Sequence, residues 1–507
     1  MKKNVLFITA DQWRGDCLSA LGHPCLKTPH LDALAAQSVL FASHYCQAVP
    51  CGPSRASLYT GLYMMNHRST TNGTPLDRRH VNWAQLVRAA GYDPVLFGYT
   101  DTSLDPRDYP SEDPRLKTYE GVLPGITAKV LVNTGDVTAW AEWLATKGYR
   151  IPGHPPDLYR MKVDVTEWED GGPAPTPLAI RAEHHDTHFL TDQTIEYVTA
   201  HAAEPWCVHL SLLRPHPPWI APEPYNALYD PTRVPESVRA PSPEEEGAQH
   251  PWLAYQLSRT GALAPFDKRL QRMKATYFGL MSEVDDNLGR LFAALVELGE
   301  WESTLIVFTS DHGEQLGDHW LLGKAGYFDQ SYRVPCVVRD PRREADATRG
   351  KSVDRFTEHV DVMPTLLDWL GLDVPPACDG SSLLPFVESK TGPARWRDDV
   401  HWEFDFRDAT DSSGARPLGL PMHACTLAVL RDRRYKYVHF AALPPLLFDL
   451  AEDPLELRDV AAEPARQRVV LDCAQRMLSW RSRHADQTLT HLTLGKRGAV
   501  GVPGSRW

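Results

Sequence analysis

The sequence predicts an α/β fold in which a mostly parallel, doubly wound sheet is flanked by helices and followed by a smaller antiparallel sheet with its own helix. Three observations predict it. Near-continuous apolar runs such as Asn4–Ala10 (NVLFITA) and Thr304–Thr309 (TLIVFT) have the pattern of strands buried on both faces. Helical periodicity alternates with such runs, as β-α-β crossovers require. After about Pro385 the texture changes to short alternating runs without intervening helices. The expected organisation is a large α/β domain over 1–385 and a C-terminal α+β subdomain with a tail over 386–507.

In chain order, the strand 4–10 ends abruptly in Asp11-Gln12-Trp13-Arg14, and ligands gather at the carboxyl ends of such strands. Thr28-Pro29 opens a helix over 30–37 with Thr28 as its N-cap. Residues 39–45 read as a strand, 82–90 as a helix capped by Asn82 and stopped by Gly91, and 94–99 as a strand. Prolines and charges replace periodicity over 106–125 and 148–187, which read as long loops facing the site. A helix over 188–202 precedes a buried strand over 206–212, which Arg214-Pro215-His216-Pro217-Pro218 ends in a rigid turn.

The acidic stretch 241–247 reads as a solvated loop, and 267–298, apolar at helical spacing, as a long core helix on which Asp285-Asp286 is a solvated face or salt-bridge site. The strand 304–309 runs into Ser310-Asp311-His312-Gly313-Glu314, and a strand over 332–338 and a helix over 361–370 complete the series. Runs at 400–406, 425–431, 435–440 and 446–450 predict the antiparallel sheet, and 464–484 a helix packed on it. Residues 495–507 are glycine-rich and read as a disordered or exchanged arm. His184-His185-Asp186-Thr187-His188 looks ligand-like but reads as a helix start capped by Asp186 or Thr187.

With 65 acidic and 53 basic residues the formal charge is −12, which argues against nucleic acid or an anionic membrane as the main partner. A chain of this charge that acts on an anion needs a local positive site. No stretch approaches the roughly 18 apolar residues of a membrane span. The apolar run after Lys3 is too short for a signal peptide. Nine cysteines without a CxxC pair fit reduced thiols, so the expected location is the cytoplasm.

Two stretches carry chemistry. In Val49-Pro50-Cys51-Gly52-Pro53-Ser54-Arg55 a thiol, a turn and an arginine stand at the start of a helix-competent run. Free amides of a first turn and the Arg55 guanidinium would hold an anion above Cys51, and the same amides would lower the thiol's pKa. The alternative is a small buried cysteine near a proline turn. Asp11-Gln12 and Asp311-His312, about 300 positions apart, both follow buried strands that a parallel sheet would bring together, as a metal site requires. Imidazole, carboxylate and amide donors are borderline in softness and point toward Mn²⁺, Zn²⁺ or Fe²⁺, with Mn²⁺ preferred, and away from Ca²⁺.

The pattern Cys51-x-Pro53-Ser54-Arg55-x-x-x-x-Thr60-Gly61 resembles the signature of the sulfatase family, within the alkaline phosphatase superfamily. The resemblance implies an alkaline-phosphatase-like large mixed sheet. It also implies that Cys51 is oxidised by formylglycine-generating machinery to formylglycine, whose hydrated aldehyde attacks sulfur or phosphorus and adds an oxygen ligand from position 51 to Asp11, Gln12, Asp311 and His312. Sulfatases commonly carry a Gly-Lys-Trp-His-type motif where this chain has Gly98-Tyr99-Thr100-Asp101. The chain is closer to the phosphonate monoester hydrolase/phosphodiesterase subfamily in MNHR at 65–68, Asn72, Pro75-Leu76-Asp77, Gly98-Tyr99-Thr100, RPHPP at 214–218, DHGEQLGDHWLLGK at 311–324 and RYKYVHFAALPP at 434–445. Where that subfamily has a second hydroxyl after the tyrosine, this chain has Asp101.

Carried over residue by residue, the resemblance makes Arg55 the group that orients the diol. Asn72, Tyr99 and Asp101 become substrate contacts, and His216 and Lys324 stabilise charge on the substrate and leaving oxygen. The implied activity is cleavage of small anionic esters, phosphonate monoesters and phosphate diesters, by a homotetramer, with side activity on sulfate and phosphate monoesters. An arylsulfatase-type hydrolase and a catalytically silent binding protein on the same fold are the alternatives.

Overall fold

The computed structural model describes residues 3–161, 176–259, 267–407, 417–496 and 498–501. Its strands are β1 (Asn4–Ala10), β2 (Val39–Phe41), β3 (His44–Tyr45), β4 (Pro94–Gly98), β5 (Thr127–Leu131), β6 (Cys207–Leu212), β7 (Thr304–Thr309), β8 (Arg333–Val334), β9 (Cys336–Arg339), β10 (Lys351–Val353), β11 (Thr357–Glu358), β12 (Val400–Asp405), β13 (Thr426–Arg431), β14 (Tyr435–Phe440), β15 (Leu446–Asp449), β16 (Leu492–Gly495) and β17 (Gly498–Gly501). Eight of them form the central sheet in the order β10-β2-β9-β7-β1-β6-β4-β5.

Burial explains the choice of residues. Every residue of β1 is buried; Leu6, Ile8 and Ala10 enter the core on one face, and Val5 and Phe7 enter the core on the other. β7 divides in the same way, with Ile306 and Phe308 opposite Leu305 and Val307. The first core is closed by the helix Asp267–Glu297 through Tyr277, Met281, Val284, Leu288 and Leu291, as its apolar spacing predicts. The second is closed by the helices Cys51–Thr60, Trp83–Ala89 and Val362–Leu370.

Several expectations change. The run 332–338 splits at Pro335 into β8 and β9; β9 runs antiparallel to β7 and β2, which gives the mixed sheet that the resemblance implies. The run 39–45 also divides, β2 joining the central sheet and β3 a small sheet of order β11-β3-β8. Thr28 does not cap the helix Pro29–Ala35; Asp285 on the long helix accepts from the amides of His30 and Leu31 at 3.0 and 2.7 Å, so it is a buried capping group and not a solvated one. The stretch 241–247 contains a helix, Pro243–Gly247, capped by Ser242. Its Glu246 is buried against His319 at 2.8 Å. Asn82 makes the expected cap, completed by Gln85 as a capping box.

The antiparallel sheet β12-β13-β14-β15 lies between two apolar clusters. Trp402, Phe404, Val438 and Phe448 pack with Tyr45, Trp252 and Tyr327 of the preceding chain, while Leu430, Tyr437 and Leu447 pack under the helix Gln467–Arg483. The arm expected to be irregular from residue 495 onward instead contributes Gly495 and Gly498–Gly501 to the hairpin β16–β17, in which residues 492–494 complete the first strand. All nine cysteines are free. Among the described residues no helix is long and apolar enough to cross a membrane.

Candidate active site

The register of the central sheet assembles the site. β1 and β7 pair in parallel from Asn4 with Thr304 to Thr9 with Thr309, so the chain leaves both strands at the same end and Asp11 and Asp311 emerge side by side. The Cys51 helix delivers its first residue to the same place. Asp11, Cys51, Asp311 and His312 are buried, and each offers a ligand atom within 4.8 Å of the others. Cys51 Sγ lies 3.2 Å from His312 Nε2.

Arg55, one turn along the helix and fully buried, ties the cluster together. Its Nε donates to Asp311 Oδ2 at 3.0 Å, Nη2 to Asp11 Oδ2 at 3.1 Å, and Nη1 to Ser211 Oγ at 2.9 Å. The Tyr99 ring lies 4.4 Å from the guanidinium, and its hydroxyl donates to Asp11 Oδ2. Burial opposes ionisation of Asp11, but His216, His312, Arg55 and Lys324 outweigh it and hold the carboxyl below its usual range. Asp11 Oδ1 is buried without a hydrogen-bond partner, and Asp311 Oδ1 accepts from the amides of Gln12 and His312. An anionic oxygen with no donor, facing an imidazole and a second carboxylate, fits a divalent cation.

The remaining expected residues surround this centre. Gln12, in the left-handed region at φ 66°, accepts from Lys324 Nζ at 2.7 Å and donates to Glu314. Asn72 Oδ1 accepts from the Gly52 amide at 2.9 Å, which leaves its NH₂ free to face an anion. That amide is therefore not an open anion donor, contrary to expectation. Nor is the thiol activated: burial and then the Asp11 carboxylate push Cys51 well above its usual range. His216 gives its Nδ1 proton to the Pro217 carbonyl at 2.7 Å, and burial, reinforced by Lys324, pushes it down to about 3. It is a neutral imidazole with an Nε2 lone pair, not a standing acid near neutral pH. Burial pushes Asp101 up to about 8, and its Oδ1 has no hydrogen-bond partner.

Sequence reasoning missed Glu314, which accepts from the Leu316 amide at 3.0 Å and from the Gly323 amide and, buried, is raised to about 6. Its place inside the 311–324 motif was the available signal. His185, Asp186, Glu283 and Arg214 form a buried ion-pair group, so the ligand-like 184–188 cluster is structural, though by charge pairing and not by a simple cap.

A family profile described as Sulfatase matches residues 3–372, and one described as N-sulphoglucosamine sulphohydrolase, C-terminal, matches 317–483. The chain is 44% identical to the multifunctional alkaline phosphatase superfamily protein PehA of Trinickia caryophylli, over 98% of each chain. It superposes on the crystal structure of the phosphonate monoester hydrolase of Agrobacterium radiobacter with a TM-score of 0.92 at 47% identity, over 99% of each chain. The phosphonate monoester hydrolase SpPMH from Silicibacter pomeroyi matches with the same TM-score at 40% identity, over 99% of each chain.

Proposed function

The chain belongs to the sulfatase family, and from that membership we propose that it hydrolyses phosphonate monoesters and phosphate diesters, using a formylglycine made from Cys51 and one divalent metal. The observation that carries the reading is the buried convergence of Asp11, Cys51, Asp311 and His312 with Arg55 bridging both carboxylates. The raised thiol pKa supports it, because an unmodified Cys51 would be a protonated and poor nucleophile.

Asp11, Asp311, His312 and residue 51, with Gln12 beside them, would hold the metal, and the mixed donor set favours Mn²⁺. When bound, such an ion lowers the pKa of an oxygen nucleophile and shields the substrate's charge. Arg55 holds the two carboxylates and orients residue 51. Lys324, anchored on Gln12, brings a compact positive charge to the ester oxygens. The Asn72 NH₂ and the Tyr99 hydroxyl are fixed donors beside the same space, Tyr99 by exchanging its Asp11 partner. His216 offers its Nε2 lone pair, and an anionic substrate would raise its pKa and let it hold a proton near the leaving oxygen.

The PehA relative is named multifunctional, which supports activity on more than one ester; side activity on phosphate and sulfate monoesters is part of the proposal. A sulfate ester hydrolase remains the second reading, carried by the family as a whole and opposed by Tyr99-Thr100-Asp101. We also propose a cytoplasmic homotetramer, for which the free cysteines are the supporting observation on location.

Mass spectrometry of the tryptic peptide 28–55 tests the nucleophile: formylglycine at position 51 is expected, and unmodified cysteine in active native enzyme overturns the reading. Parallel kinetics on an aryl phosphonate monoester, a phosphodiester and an aryl sulfate are expected to rank the sulfate last. Metal analysis of the active enzyme is expected to find one Mn²⁺ per chain, and Ca²⁺ or no metal counts against that choice.

A further inference from the structure

Three fully buried residues form a hydrogen-bond chain that ends on the metal-ligand loop. Thr357 Oγ1 lies 2.9 Å from His44 Nδ1, His44 Nε2 lies 3.0 Å from His359 Nδ1, and His359 Nε2 lies 3.1 Å from the Asp311 carbonyl oxygen. A carbonyl can only accept, so His359 Nε2 carries a proton. In a neutral ring Nδ1 then accepts, which makes His44 Nε2 the next donor and leaves His44 Nδ1 to accept from the Thr357 hydroxyl. Each link has one allowed direction, and both rings are Nε2–H tautomers. Both rings are fully buried, and their nitrogens meet a hydroxyl, each other and a carbonyl, none of them a carboxylate that would hold a second proton, which favours the neutral form.

The carbonyl at the end of the chain is held from a second side. Ser54, on the helix that begins at Cys51, donates to the same Asp311 oxygen. Thr357 and His44 face each other in the parallel register of β11 and β3, so the small sheet supplies the far anchor. The peptide between Asp311 and His312 is thus clamped between the helix bearing residue 51 and the β11-β3-β8 sheet. Rotation of that peptide would displace the Asp311 carboxylate and the His312 imidazole together.

We propose that Thr357, His44 and His359 are positioning residues, a relay of fixed direction that sets the orientation of the Asp311–His312 peptide relative to residue 51. No proton moves along it. The metal part of this proposal rests on the reading of Asp11, Asp311 and His312 given above, whereas the tautomers do not depend on it.

Imidazole nitrogen NMR of the full-length, Zn²⁺-loaded chain is expected to show His44 and His359 as Nε2–H tautomers, and an Nδ1–H tautomer on either ring overturns the relay. Thr357→Val keeps the side-chain shape and removes the first donor. It is expected to lower kcat about 10-fold with KM unchanged and to speed release of bound metal to excess chelator by about the same factor, with Thr357→Ser restoring both. His359→Phe, which removes the last donor, is expected to approach 100-fold. A Thr357→Val chain that loses thermal stability but keeps its kcat and its rate of metal release overturns the positioning role. A wild-type chain that holds no metal defeats the proposed function, and the same NMR on the metal-free chain then decides the relay, an Nδ1–H tautomer on either ring again overturning it.

Discussion

Arg55 is the residue on which the site's charge balance turns. Two carboxylates, Asp11 and Asp311, emerge from neighbouring strands within one buried space, and the Arg55 guanidinium pairs with both. Arg55→Ala removes it and leaves buried charges unpaired, at a cost of about 3–5 kcal/mol. Its expected outcome is a lowered unfolding midpoint in calorimetry together with loss of hydrolysis, whereas Arg55→Lys, unable to fork between both carboxylates, is expected to fold and hydrolyse slowly. Asp101 makes a different prediction. Burial raises its carboxyl to about 8, so it is neutral below that pH and can donate, and above it the added negative charge repels an anionic ester. The kcat/KM of the wild type should fall above about pH 8, and Asp101→Thr should abolish that descent in a pH-rate profile.

At the scale of the element, neighbouring segments supply caps and partners that each segment lacks by itself. The helix Pro29–Ala35 takes its N-terminal acceptor from Asp285, a residue of the long helix some 250 positions away. Burial raises Asp285 to about 7 from 3.8, although the two amides oppose this. The folded value lies above the unfolded one, so between them the unfolded chain binds fewer protons, and stability is greatest below 3.8 and falls as the pH rises toward 7. Asp285→Asn keeps an acceptor for the helix and cannot ionise. Its unfolding midpoint is therefore expected to lose that part of the pH dependence, as thermal scans across the interval would record. Such a cap was invisible in the local sequence, where Thr28 has the right type and place; its hydroxyl instead joins Ser19, 2.8 Å away.

At the scale of the whole molecule, the hairpin β16–β17 stands at the surface with Leu489, Leu492 and Leu494 exposed, Leu494 at 82%. A two-stranded ribbon is marginal without a partner, and the proposed homotetramer would provide one. Light scattering is expected to find a tetramer for the full chain and a smaller species after removal of the residues beyond 488; an unchanged mass would assign assembly to another surface. The sequence by itself determined the strands β1, β4, β6, β7 and β12 to β15, the burial of β1 and β7 on both faces, the long helix, and Asp11, Cys51, Asp311 and His312 as residues that converge. Burial on both faces leaves an unbroken apolar run, and the chemistry of Cys51, Asp11, Asp311 and His312 is written in residue type and spacing. Only the tertiary structure decided the direction of β9, the capping of Gly52 by Asn72, the neutral state of His216 and the line from Thr357 to Asp311. These depend on which distant groups share a buried volume, where a donor without an acceptor is costly and a charge takes the pKa that its neighbours allow.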